Sequence, residues 1–173
     1  GAGGEQTVQG LLADAATEAE LAKGRALLLK AREPRIRPGL DDKILADWNG
    51  LMIAALAEAG LAFDRADWIA LATRAFAFIR GKMTGEDGRL RHSWREGRAR
   101  HPASVDDYAN LSRAALSLHE ATGDPAYLDQ AKTWVAVLDR HYWDNAGGGY
   151  LFAADDTADL IAFHVGRLRY AQP

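Results

Sequence analysis

Ala46-Asp-Trp-Asn-Gly-Leu-Met-Ile-Ala-Ala-Leu56 returns sixty positions later as Asp106-Asp-Tyr-Ala-Asn-Leu-Ser-Arg-Ala-Ala-Leu116. Asp47-Trp48 falls on Asp107-Tyr108, Leu51 on Leu111, and Ala54-Ala55-Leu56 on Ala114-Ala115-Leu116. A second match follows at an offset of fifty-nine, with Trp68-Ile69 on Tyr127-Leu128, Ala72 on Ala131 and Ile79 on Leu138. After each pair comes a glycine-rich turn and a short apolar-aromatic run, Gly88 to Trp94 and Gly148 to Phe152. The unit is therefore helix, tight turn, helix, glycine loop or hairpin. Self-similarity at a fixed period marks a helical array, either an open solenoid or a closed ring of hairpins. A sixty-residue unit is well beyond the ~34 residues of tetratricopeptide repeats, and the aromatic strands in its loops point to the ring. The expected fold is all-α, made of helical hairpins of an (α/α)6 toroid with about half of the ring present and short β-hairpins in the loops. Residues 1–173 then form a partial domain of a longer chain, with the glycine-rich 1–12 as a disordered or linker segment.

Working outward, a helix is expected over Thr17 to Arg32, acidic at its start and basic at its end. Pro34, Pro38 and Gly39 stop it. Asp41 or Asp42 is placed to cap the next helix, which runs to about Leu61 with Ile44, Trp48, Leu51/Met52, Ala55 and Ala59 as its apolar stripe. Asp64 is the expected cap of a third helix burying Trp68, Ala72, Ala75/Phe76 and Ile79. Arg89 to Arg95 alternates around Leu90, His92 and Trp94, and Gly97 turns the chain back as a hairpin. A helix from Ser104–Asp107 to Ala121 shows Tyr108, Leu111, Ala115 and Leu118 on one side. Asp124 caps the last helix, Pro125 opens it, and Tyr127, Ala131, Trp134/Val135 and Leu138 face inward. Tyr150-Leu-Phe152 and Leu160 to Val165 are expected strands.

Composition narrows the function. The chain has 48% hydrophobic and 26% charged residues and a net charge of −3, without a basic face interleaved with aromatics, so nucleic acid is not an expected partner. It has no cysteine, which excludes disulfides, thiolate metal sites and a cysteine nucleophile within it. No run has the apolar length of a membrane span, and the expected location is cytoplasmic. No His-x-x-x-His or carboxylate spacing argues for a metal, and no cofactor is expected.

The candidates for chemistry cluster at helix starts. Asp42 and Asp107 are carboxylates that, in a ring, would share one mouth; either serves as acid/base or as a cap compensating the helix dipole. Lys43 is the cationic neighbour of Asp42. Trp48 and Tyr108 suit a stacking platform for a sugar, and Asn49 would bond hydroxyls, while the same aromatics fit an apolar core. His92, flanked by Trp94, is the residue type that abstracts a proton beside a carbonyl near neutral pH. The sites expected are thus Asp42, His92 and Asp107 for catalysis, and Lys43, Trp48, Asn49, Trp94 and Tyr108 for substrate.

Arg35-x-Arg-Pro-x-x-Asp-Asp-Lys-x-Leu-x-x-Trp-Asn-Gly-Leu51, with Asp107-Tyr108-Ala109, Leu118 to Leu128 and Gly148 to Phe152, resembles thioredoxin-like proteins related to spermatogenesis-associated protein 20. The likeness falls in the region beyond their thioredoxin domain. It implies a six-hairpin toroid similar to N-acylglucosamine 2-epimerases and six-hairpin glycosidases. It carries over no catalytic residue. Where such proteins read Asp-x-Ala-x-Pro-Ser near the last strand, this chain has Arg169-Tyr170-Ala-Gln-Pro173. The function expected is a carbohydrate-active or carbohydrate-binding toroid segment of epimerase or glycosidase type, with a small carbohydrate as ligand. The alternative is a non-catalytic helical scaffold that positions the thioredoxin-like domain. An unfinished apolar flank predicts self-association.

Overall fold

The computed structural model describes residues 14–157. The expected linker at 1–12 and the expected strand from Leu160 to Val165 lie outside these residues. The chain divides into two units, 1–41 and 42–173. The first holds one helix, α1 (Ala15–Arg32), capped by the Asp14 side chain accepting from the Thr17 amide at 2.8 Å. Lys23–Glu20 and Arg25–Glu18 pairs run along it, none of its residues is buried, and Leu27, Leu28 and Leu29 face outward.

The second unit contains β1 (Ile44–Leu45), α2 (Ala46–Ala62), α3 (Ala66–Lys82), β2 (Arg91–Arg95), β3 (Arg98–Pro102), α4 (Val105–Thr122) and α5 (Pro125–His141). The helices form two hairpins, α2–α3 and α4–α5. β1, just before α2, joins the β2–β3 hairpin between α3 and α4 in an antiparallel sheet of order β1-β2-β3. Glu96 and Gly97 close its hairpin with φ of 52° and 76°, the two left-handed positions that a tight hairpin turn requires.

α2 and α4 pack side by side in the register of the repeat. A Cβ on Gly50 would stand 2.8 Å from the backbone carbon of Asn110, its counterpart sixty residues on, so only glycine allows this approach. At the far end Glu58 accepts from Ser117 Oγ at 3.0 Å and pairs with Arg113 at 3.1 Å. The Ser117 hydrogen bond, followed by Arg113, holds the Glu58 carboxyl below its ordinary pKa. Behind this pair, Phe76 of α3 meets Tyr127 and Trp134 of α5 edge-on or tilted, at 5.2 and 5.5 Å. Leu111, Ala115 and Leu118 of α4, with Ile53, Ile79 and Met83, fill the core between the layers.

Several expectations are corrected. The second helix begins at Ala46, not at Asp42, because Ile44 and Leu45 pair with β2 as a strand; neither Asp41 nor Asp42 is its N-cap. Its buried face is Ala46, Gly50, Ile53, Ala54, Ala57 and Gly60. The expected stripe of Trp48, Leu51, Met52 and Ala55 faces outward, because close packing on α4 selects small residues over large ones. Asp64 does not cap α3: it adopts a left-handed φ of 52°, Arg65 holds the cap position, and the Arg65 side chain pairs with Asp67 and lies over Trp68. Val135 is exposed, leaving Trp134 as the buried member of that pair. Tyr150–Phe152 is not a strand. Gly148 and Gly149 turn the chain so sharply that a single bridge, Trp143 to Tyr150, forms.

Candidate functional site

The two inner helices begin at the same end of the unit. Asp107, in the first turn of α4, reaches across and accepts the Asp47 amide of α2 at 2.9 Å. That amide is one of the donors a helix start leaves unpaired, and Leu45 at the N-cap has no side chain to satisfy it. On α4 itself, Ser104 and Asp107 form a reciprocal capping box: Asp107 Oδ2 accepts from the Ser104 amide at 2.7 Å and from its hydroxyl at 2.9 Å. The remaining donor is His92, whose Nδ1 lies 3.1 and 3.0 Å from the two carboxylate oxygens. Asp107 is fully buried, so this carboxylate is shared by a cap, a neighbouring helix and an imidazole.

The arrangement fixes His92. With Nδ1 donating to Asp107, Nε2 carries the free lone pair, and it has no hydrogen-bond partner among the described residues. The imidazole side chain is 36% exposed, so a ligand can reach it while its partner stays dry. Asp47, His92 and Asp107 each offer a ligand-type atom, all within 4.8 Å of one another. The Asp107 oxygens accept from the donors just named, which ties the three residues into one hydrogen-bonded network.

The other expected site residues disperse. Asp42 is exposed and bound to Arg95 Nε at 2.6 Å on the sheet hairpin. Lys43, beside it, is exposed as well. Asn49 donates from its amide to Leu45 O at 2.8 Å, a bond within its own helix start. Trp48 stands 68% exposed. Trp94 is half-buried, edge-on to Phe78 at 5.7 Å. Tyr108 is fully buried and offers no face to a ligand; its hydroxyl accepts the Leu90 amide at 3.0 Å, and burial raises its pKa. Of the three acid/base candidates the structure therefore joins His92 and Asp107 and leaves Asp42 apart.

Asp47 was expected at the same rim as Asp107, though not that its amide would donate to the Asp107 carboxylate. Sequence reading missed two participants. Ser104 could have been found as half of a capping box with Asp107 three residues on. Arg89 could not: it pairs with Asp156 at 2.7 Å across 67 residues, and no local pattern announces such a contact. Burial opposes the charge on Arg89, but Asp156, Tyr142 and Tyr108 outweigh it and raise its pKa.

Two helical hairpins whose inner helices start at the same end have the fold of a hairpin toroid, as solved structures show. The fold matches that of a D-mannose isomerase with a TM-score of 0.59 at 19% identity, over 63% of this chain and 30% of that one. It matches cellobiose 2-epimerase from Spirochaeta thermophila DSM 6192 with a TM-score of 0.55 at 16% identity, over 64% of this chain and 28% of the other. Identity at that level speaks for the (α/α)6 fold alone. The chain's homologues are spermatogenesis-associated protein 20 of Homo sapiens, 33% identical over 147 residues (75% of this chain, 18% of that protein), and of Mus musculus, 34% identical over 155 residues (84% and 20%). It spans about a fifth of the length of these relatives. The sequence matches no protein-family model. Among the described residues no helix is long and apolar enough to cross a membrane.

Proposed function

We propose that this segment contributes a general acid/base histidine to a carbohydrate-active toroid of epimerase or isomerase type. The observation that carries the reading is the His92–Asp107 pair at 3.0 Å, with Asp107 fully buried and His92 part-exposed. Nε2 of His92 takes the proton from the carbon beside the carbonyl of an open-chain sugar, giving an enediolate, and returns it to that carbon, or to its neighbour once the hydroxyl proton has passed from one enediolate oxygen to the other. Asp107 is a positioning residue: it holds the tautomer and steadies the imidazolium formed on proton transfer. Two proteins that share the fold, a D-mannose isomerase and a cellobiose 2-epimerase, carry names that agree with this chemistry. The resemblance to thioredoxin-like proteins suggests that the toroid works beside such a domain.

Full-length protein incubated with aldoses and ketoses in deuterium oxide tests the proposal. The expected result is deuterium entering the carbon next to the carbonyl, lost at least 100-fold in His92→Gln and reduced about tenfold in Asp107→Asn. Absence of exchange with every sugar, or exchange that persists in His92→Gln, would contradict it.

A second reading has its own observation. Trp48, Leu51 and Met52 form an outward apolar face on α2, the kind of surface a scaffold offers a partner or a second copy. Gel filtration distinguishes them: association abolished by Leu51→Glu with Met52→Glu, and no sugar exchange, would favour the scaffold.

A further inference from the structure

An open cleft of about 460 Å³ lies beside the sheet hairpin, walled by Arg89, Arg91, Arg100, His101, Asp87 and Asp156, with Thr157 at its edge. Two of its three guanidiniums are already matched. Arg89 holds Asp156 at 2.7 Å and Arg91 holds Asp87 at 3.0 Å. Burial works against the charge on Asp87, but the Arg89 amide and the Arg91 side chain outweigh it and keep the carboxyl ionised well into acid. Arg100 and His101 have no side-chain partner among the described residues, so the cleft carries one guanidinium in excess.

Neither His92 nor Asp107 is among the residues that line this cleft. Arg91 pairs with Pro102 and Ser93 with Arg100, so Arg91 and Arg100 share one face of the hairpin while His92 belongs to the other. His101 breaks the alternation. Its φ is 61°, a left-handed conformation in the middle of a strand that a non-glycine residue adopts at a cost. The strained residue lines the cleft together with the unmatched arginine.

We propose that this cleft is an oxyanion-binding site, which takes the phosphate or carboxylate of a small polar ligand on Arg100. The chemistry is that of a planar fork with several N–H donors meeting two oxygens of one anion, while the carboxylate-paired Arg89 and Arg91 fix the walls. The site is independent of the reaction assigned to His92. It would serve equally for a charged sugar or for a free regulatory anion.

Calorimetric titration of the full-length protein at low salt decides the matter, with inorganic phosphate, glucose 6-phosphate, glucuronate and neutral glucose as probes. At least one anion is expected to bind more tightly than glucose. That binding should weaken at least tenfold in Arg100→Ala, vanish in Arg100→Glu and stay within about threefold in Arg100→Lys. Glucose 6-phosphate binding more tightly than phosphate identifies a sugar-borne anion, equal affinities a free one, and both support the site. No binding by any anion, or binding that Arg100→Glu leaves intact, overturns it; Arg100 is exposed, so its variants are expected to fold.

Discussion

The starts of α2 and α4 carry the same sequence feature, an aspartate followed by an aromatic residue, and meet different fates. Asp107 is fully buried and Tyr108 with it; Asp47 is half-buried and Trp48 is 68% exposed. The hairpin positions that follow also diverge: His92 in the first unit becomes Phe152 in the second. The two units share a backbone plan, and the difference lies in their neighbours. α4 packs on α2 along one side and on α5 along another, while Trp48, Leu51 and Met52 of α2 are exposed. A repeat therefore sets where a residue stands, and its surroundings set what it can do.

The contrast is sharpest between the two aspartates. Asp107→Ala would strand the Ser104 and Asp47 amides and His92 in a buried site, with an expected loss of about 4 kcal/mol of stability. Asp47→Ala removes a carboxylate that accepts the adjacent Trp48 amide at 2.7 Å, and about 0.5 kcal/mol is expected. Urea unfolding of both variants measures the gap, and equal losses would mean that the two starts are equivalent after all.

Next in size is the small-residue seam. Gly50→Val must push against the Asn110 backbone and is expected to cost about 3 kcal/mol, whereas the exposed Met52→Val on the other face of α2 should cost under about 1 kcal/mol. Thermal unfolding of the pair checks which face of α2 is the packed one.

Tyr142 comes third. Its counterpart in the first unit is Met83, which has no hydroxyl, while the Tyr142 hydroxyl donates to Ala103 O at 2.6 Å. Tyr142→Phe leaves that buried carbonyl unmet, at about 1.5 kcal/mol. Burial is the main cause that pushes the Tyr142 pKa from 10.0 to about 12. Because the folded value is the higher one, the protonated tyrosine's contribution is complete below pH 10.0 and drains away as pH rises through about 12. Wild type should lose stability over that interval, and Tyr142→Phe should lose less. Smallest is His101→Gly, expected to stabilise by about 1 kcal/mol through relief of its left-handed φ.

The helix periods, the cap at Asp124 and the sixty-residue spacing were legible in sequence because each is a local pattern. So was the packing of the two inner helices, through the repeat. The burial of α2 was misread because apolar size suggested Trp48 and Leu51 as the inner face. Close helix contact instead prefers Gly50, Ala54 and Ala57, and a hydropathy pattern does not register that preference. At the site, His92 and Asp107 were both singled out by residue type, but their union depends on a hairpin folding back over a helix start. Arg89 with Asp156, and Arg100 with His101, became visible only once the sheet register was known.

All of this rests on Asp107 binding the start of α2 to the start of α4, and amide hydrogen exchange at Asp47 reads that bond directly. A first-turn amide ordinarily exchanges with the frayed helix end. With its proton held by a fully buried carboxylate at 2.9 Å, the Asp47 amide should exchange as slowly as those in the middle of α4 and become fast in Asp107→Ala. Exchange at the rate of an open helix end in the wild-type protein would contradict the shared rim, and with it the fixed orientation of His92.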